Sequence, residues 1–290
     1  MKQLLLTYLL FALLATQASA EDLRPPSPSR SYLNFCASCH GDSGDGLGKA
    51  ARFLYPKPRS LTDHPIQHST SINRVASRED IEHVIRKGIP NGSMGGWSTL
   101  TDLQIDTLVS DVLEFRRYGA VKRYFDLLVT TGDLQAPDPQ KLTNQQKDEL
   151  SKYVQRETQS DEQWQFSLSE PGGNALTMGQ QLYFQQNCHK CHGKDGRGSY
   201  GIDLIGEYGF PTFARDLVYE PYKHGASATD IARVIKLGIN GTKMPASVTL
   251  DDQQLANLTR YVISLQDPKP PSLTNAERYQ RAIGNLDKTP

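Results

Sequence analysis

"CHKCH", residues 188–192, repeats the pattern of "CASCH", residues 36–40, and the two pentapeptides hold Cys36, Cys39, Cys188 and Cys191, all four cysteines of the 290-residue chain. Cys-x-x-Cys-His spacing serves several chemistries: a zinc site, a thiol–disulfide redox pair, or covalent attachment of a cofactor. A disulfide within either pair would close almost no loop and so stabilise little. What surrounds the two pentapeptides has to choose among these.

Working outward, the chain repeats itself. "REDIEHVIRKGIPNGSM" (78–94) and "ATDIARVIKLGINGTKM" (228–244) share Asp80/Asp230, Ile81/Ile231, Val84/Val234, Ile85/Ile235, Gly88/Gly238, Ile89/Ile239 and Met94/Met244, every pair offset by 150. The register continues through Thr99/Thr249, Leu100/Leu250, Asp102/Asp252 and Gln104/Gln254, while the cysteine motifs are offset by 152. Matches in a fixed register, joined to matching motifs, indicate duplication. Each copy reads as a short helix at the motif, a glycine-rich loop ("HGDSGDGLG" or "HGKDGRGSYG") and a Pro-rich or aromatic segment. An amphipathic helix follows, with apolar residues at i, i+3 and i+4, and Gly88 or Gly238 as its C-cap. A methionine loop then leads to a last helix capped by Thr or Asp. No long stretch alternates as a strand would, so the fold class is all-α: two helical domains joined by a partly helical linker. The expected boundaries are 1–20 signal peptide, 21–118 domain 1, 119–173 linker, 174–266 domain 2 and 267–290 tail. Helices are expected in the linker near 121–130 and 142–157, the second opening on "TNQQ" (143–146), a candidate capping box.

On a helix, cysteines at i and i+3 and a histidine at i+4 stand on one side. Two such thiols can add across the two vinyl groups of one planar haem, with His40 or His192 over the iron as proximal ligand; this is the c-type attachment pattern. Met94 follows His40 by 54 residues and Met244 follows His192 by 52. A thioether suits the sixth position of a low-spin iron, and His/Met ligation raises the potential. The plainer role for each methionine is filling a gap in the core, but the shared register and the loops "GIPNGSM" and "GINGTKM" favour ligation. In the first copy "SMGGW" puts glycines where the second has Pro245. Zinc would need both motifs pooled into one four-ligand site and would leave the matched methionines without a role. A thioredoxin-like pair would need a βαβ pattern, which the sequence lacks. Of the other histidines, His189 is an exposed spacer inside its motif, and His64, His68, His83 and His224 could each be an alternative sixth ligand, the loop residues His64, His68 and His224 foremost, but a free surface position is expected for each.

The N-terminus "MKQLLLTYLLFALLATQASA" has a lysine, an apolar run and Ala18-Ser19-Ala20, the layout of a secretory signal cleaved before Glu21. The apolar run is too short to span a bilayer, so the mature protein is expected to be exported and periplasmic, with no membrane span. With 32 basic and 32 acidic side chains, nothing points to nucleic acid or a polybasic membrane contact.

On these residues each half resembles a class I cytochrome c domain, over about 30–118 and 174–266, and the whole resembles an exported bacterial tandem dihaem cytochrome c. The resemblance implies two covalently attached c-type haems, one per domain, with His40 and His192 proximal and Met94 and Met244 distal. In the second half Gly179 and Tyr183 resemble first-helix residues that cross the last helix, near Tyr261. In the first half Ser27 stands at the motif offset of Gly179 among Pro25, Pro26 and Pro28, so a truncated first helix is expected. "KPRSLTD" resembles a segment of dihaem cytochromes that serve periplasmic oxidoreductases; it aligns Arg59 with Arg215 and Leu61 with Leu217. Either arginine could pair with a haem propionate, and Pro56, Pro58 or Pro211 could lend a carbonyl to the proximal imidazole. The implied function is transfer of single electrons between periplasmic donor and acceptor proteins, with docking to a larger oxidoreductase complex as one form of it. The rival is a dihaem enzyme with one open haem, peroxidase-like or thiosulfate dehydrogenase-like.

Overall fold

The computed structural model describes residues 23–198, 204–206, 209 and 211–267. The expected signal peptide and nearly all of the tail lie outside them. The described chain is helical: α1 (Arg30–Phe35), α2 (Ala37–His40), α3 (Arg78–Lys87), α4 (Asp102–Thr130), α5 (Asn144–Thr158), α6 (Ala175–Gln185), α7 (Cys188–His192), α8 (Ala228–Leu237) and α9 (Asp252–Ser264). Among the described residues the only strands are the antiparallel two-residue pieces β1 (Leu204–Ile205) and β2 (Pro211–Thr212).

The helices start where local chemistry says they should. Ser77 caps α3 and Ser227 caps α8, each in a reciprocal capping box with Asp80 or Asp230. Thr101 with Gln104 does the same for α4, Thr143 with Gln146 for α5, and Asp251 with Gln254 for α9. Such a box satisfies two orphan donors of the first turn at once. α3 and α8 both end on a glycine in left-handed backbone, Gly88 (φ 70°) and Gly238 (φ 69°), which a side chain would resist.

Two equivalent cores result. In the first, Tyr32, Leu61, Ile81, Ile85, Ile105, Leu108, Val112 and Phe115 pack together. In the second, Tyr183, Leu217, Ile231, Ile235, Leu255, Leu258, Tyr261 and Val262 do so. A third cluster, with Val121, Phe125 and Leu128 of α4 against Leu134, Leu142 and Leu150, belongs to the segment between the copies.

One boundary differs from expectation. α4 does not stop near 118 but runs for 29 residues without a break, so the helix expected at 121–130 is its second half. Gly119, at the expected boundary, is a point of close approach: a Cβ there would lie 1.8 Å from the Thr62 carbonyl oxygen. Two guanidinium groups fasten the same contact. Arg116 donates to the carbonyls of His64 and Glu157, and Arg123 to that of Thr62.

Candidate haem sites

Each cysteine motif is a single helical turn. The Cys39 and His40 amides donate to the Cys36 carbonyl at 3.1 and 2.9 Å, which puts both thiols and the imidazole on one side. Gly41 (φ 80°) and Gly193 (φ 79°) end the two turns. The glycine loop then folds back on its motif: the Gly46 amide reaches the His40 carbonyl and the Gly198 amide the His192 carbonyl, both at 2.7 Å. Next, the Leu61 amide bonds the Gly44 carbonyl at 2.6 Å and the Leu217 amide the Gly196 carbonyl at 2.7 Å. Those bonds carry the following segment directly past the motif histidine.

The consequence is the contact that orients each imidazole. His40 Nδ1 lies 3.0 Å from the carbonyl oxygen of Arg59, and His192 Nδ1 lies 2.9 Å from that of Arg215. A carbonyl can only accept, so Nδ1 carries the proton and Nε2 presents its lone pair. Burial lowers both histidines below the ordinary imidazole value, which keeps the rings neutral, as a metal ligand must be. This corrects the expectation that Pro56, Pro58 or Pro211 would be the acceptor. The loop bonds at Leu61 and Leu217 fix the chain so that the arginine two residues earlier faces the ring. The two guanidinium groups have partners in their own loops: Arg59 donates to the Pro65 carbonyl, and Arg215 pairs with Glu220 at 2.7 Å.

The four cysteines form no disulfide and are partly buried. Desolvation pushes Cys36 up to about 12 and raises Cys188 as well, so neither is a poised thiolate of the kind a redox pair uses. Among the described residues no group of three or more His, Cys, Asp or Glu side chains is placed to hold a bare metal ion. The donor set therefore fits a haem held by two thioethers and one neutral imidazole, once in each copy.

The methionine loops are superimposable in their bonding. The Ile89 amide donates to the Met94 carbonyl at 2.9 Å, and the Ile239 amide to that of Met244 at 3.1 Å. Trp97 and Ser247, in the same register, donate their amides to Ile85 and Ile235. Neither methionine side chain is buried; both are partly exposed. The second loop is the firmer, since the Met244 amide also donates to Thr242 Oγ1 at 3.1 Å and Pro245 follows. In the first, a Cβ on Gly95 would meet nothing within 4 Å.

The first helices diverge as expected, but in a different register. Tyr32 and Tyr183 are equivalent, each donating its hydroxyl to the glycine carbonyl after the motif (Gly41 at 2.9 Å, Gly193 at 2.7 Å). Asn187, left-handed at φ 61°, is an extra residue before Cys188, so the counterpart of Gly179 is Pro28 rather than Ser27. A Cβ on Gly179 would lie 2.2 Å from the Asn257 carbonyl oxygen and 2.7 Å from Tyr261 Cβ, so α6 crosses α9 where anticipated.

Comparison with known proteins agrees with the duplicated geometry. Residues 176–266 match the family model of cytochrome c, and residues 24–110 match that of cytochrome c oxidase, cbb3-type, subunit III. The chain is a tandem dihaem cytochrome c. It carries two covalently attached c-type haems, one in each domain, and its chemistry is haem-based electron transfer. The cbb3-type cytochrome c oxidase subunit CcoP of Azospirillum brasilense is 30% identical over 96 residues, and the cytochrome spans about 30% of that relative's length. A chain of the Kuenenia stuttgartiensis reducing HAO-like protein complex superposes with a TM-score of 0.62 at 26% identity, over 84% of this chain and 100% of the other. Among the described residues no helix is long and apolar enough to cross a membrane.

Proposed function

We propose that the cytochrome carries single electrons between periplasmic redox partners through two His/Met-ligated haems, His40 with Met94 and His192 with Met244. The observation that carries this is the matched pair of methionine loops: each follows a glycine-capped helix, holds its methionine carbonyl on the same amide, and leaves the thioether outside the core. A thioether from Met94 or Met244 would occupy the position a substrate needs, so each haem, held by its cysteines and histidine, would supply electron transfer and not ligand activation. Thioether attachment through Cys36, Cys39, Cys188 and Cys191 keeps each haem in place throughout, and the Arg59 and Arg215 carbonyls keep the proximal rings aligned. Partners of the kind seen in the relatives, an oxidase or a larger redox complex, fit such a carrier.

The test is the visible spectrum of the reduced holoprotein with and without carbon monoxide. Two low-spin haems indifferent to carbon monoxide are expected. Met94→Ala and Met244→Ala should each open one haem, giving one carbon-monoxide-binding site per variant. A wild-type haem that binds carbon monoxide would overturn the saturated carrier. The first haem, with glycines after Met94, is where an enzyme-like open site would show.

A further inference from the structure

His68 and His224 are neither exposed nor isolated. Their rings stack on each other across the boundary between the two domains, with centroids 5.8 Å apart and planes 13° from parallel. His83 of α3 stacks on the outer face of His68 at 5.0 Å and 10°. The side chain of His68 is 12% exposed.

The two stacked residues are also the same residue of the duplicated unit. Arg59/Arg215, Leu61/Leu217, Pro65/Pro221, Ile66/Tyr222 and His68/His224 share one offset, 156. Ile66 and Tyr222 pack against equivalent cores. Each histidine therefore stands nine residues beyond the arginine whose carbonyl holds a proximal imidazole. The α3 and α8 positions behind them correspond as well, Asp80 to Asp230 and His83 to Arg233. The seam is thus built from the same three positions of both copies, as a symmetric dimer interface is. Between His68 and Ser77 the first copy has six more residues than the second, and that insertion straps the seam. The Trp164 amide donates to the Thr70 carbonyl, the Ile72 amide to the Glu162 carbonyl, and Arg74 exchanges bonds with Leu237 and Asn240.

We propose that His68 and His224 are positioning residues for electron exchange between the two haems: their neutral rings, stacked across the seam, hold the domains in the arrangement on which that exchange depends, and a proton on either ring releases it.

The charges around the stack favour neutral rings. From domain 1, Asp80 and His83 face it; from domain 2, Asp230, Arg233, Lys223 and Arg215 do, with Glu220 behind them on Arg215 and Lys223. Arg215 and Arg233 are fixed cations, and Lys223, which burial takes down to about 8, joins them below that value; the three then balance three carboxylates while the imidazoles are neutral. The carboxylates are already engaged: Asp80 Oδ2 accepts the amides of Thr70 and Ser77, Asp230 pairs with Arg233, and Glu220 with Arg215. A proton on His224 would meet only cations and a second imidazole, 5.8 Å away, in a partly desolvated seam; one on His68 would have Asp80 Oδ1, 3.9 Å from its Nε2, as nearest counter-charge, an attraction that burial outweighs. Burial lowers His68 and takes His224 down to about 3. The closed seam thus binds fewer protons than the open one. Closure is favoured at and above the ordinary imidazole value of about 6.5 and weakens as pH falls below it.

The experiment uses the holoprotein with both haems, as wild type, as the double variant His68→Phe/His224→Phe, and as His68→Ala/His224→Ala. Intramolecular electron exchange after rapid reduction of one haem, and the small-angle scattering profile, are read at about pH 8 and about pH 5, either side of the imidazole value. The wild type should exchange electrons in a compact form at the higher pH and lose both at the lower. The phenylalanine pair keeps the stack without a proton site and should stay compact and competent at both. The alanine pair should be impaired at both. Exchange in the alanine pair as fast as wild type at the higher pH would overturn the proposal, as would a phenylalanine pair that follows the wild-type pH profile; the latter decides the matter alone if the alanine pair does not fold. The proposal rests on the presence of two haems and not on their sixth ligands, so carbon monoxide binding would remove the saturated carrier and leave it standing.

Discussion

Domain 2 approaches its haem cradle on the 11-residue helix α6, which crosses α9 with Gly179 against the backbone of Asn257. Domain 1 does so on the six-residue α1 and has no such crossing. Where Tyr261 would stand in the shared register it has Asp111, which accepts from the Ser29 amide at 2.9 Å and the Ser29 hydroxyl at 2.5 Å. Ser29 is also the N-cap of α1, its hydroxyl accepting from the Tyr32 amide. One copy fixes its first helix by close backbone packing and the other by a polar cap, yet both deliver a tyrosine hydroxyl to the glycine after the motif. What duplication preserved is the placement of that tyrosine; the means of placing it was free to change.

The comparison can be broken most forcefully at the crossing. Gly179→Val in the holoprotein should destabilise domain 2 by about 3 kcal/mol, because the new side chain meets a backbone that cannot move aside. Thermal unfolding followed at the second haem should register the loss while the first haem's transition stays put; equal shifts at both would mean that the two first helices are not held independently. The polar cap is the weaker device. Ser29→Ala should cost domain 1 about 1 kcal/mol, the usual worth of an N-cap, and leave the second haem's transition unchanged. The smallest effect tests the methionine loops. Gly95→Pro should be accommodated, since nothing crowds that position, and should add roughly 0.5 kcal/mol by restricting the unfolded chain. The first haem should stay indifferent to carbon monoxide; if it binds it instead, Gly95 is needed for the loop's path and Pro245 is no guide to it.

Much of this architecture could be read from the residues because its determinants are local. Ser77, Thr101, Thr143, Ser227 and Asp251 announce helix starts by side-chain chemistry that acts within one turn, and the 150-residue register pairs Ser77 with Ser227 and Thr101 with Asp251. Three features resisted for one common reason: each depends on what the chain meets far along its length. The domain end expected at 118 falls inside α4, and only contact with the Thr62 carbonyl shows why a glycine stands at 119. The acceptor for each proximal ring is a backbone carbonyl, which has no letter of its own; the prolines nearby stand out in the sequence, and the arginines beyond them do the work. His68 and His224 read as two ordinary loop histidines until the second copy brings them face to face.

The acceptor being a peptide carbonyl has a consequence for how such a site can vary. In many metal centres the group that aligns a ligating histidine is a carboxylate side chain, and one substitution deletes it. Here every residue type at positions 59 and 215 supplies the same oxygen, so the tautomer and aim of His40 and His192 are written in the path of the chain and not in its letters. The arginine side chains are thereby free to be recruited, exchanged or lost while the iron's environment on that side is inherited intact. Only a change in the length or course of the loop between the motif and Leu61 or Leu217 could take it away.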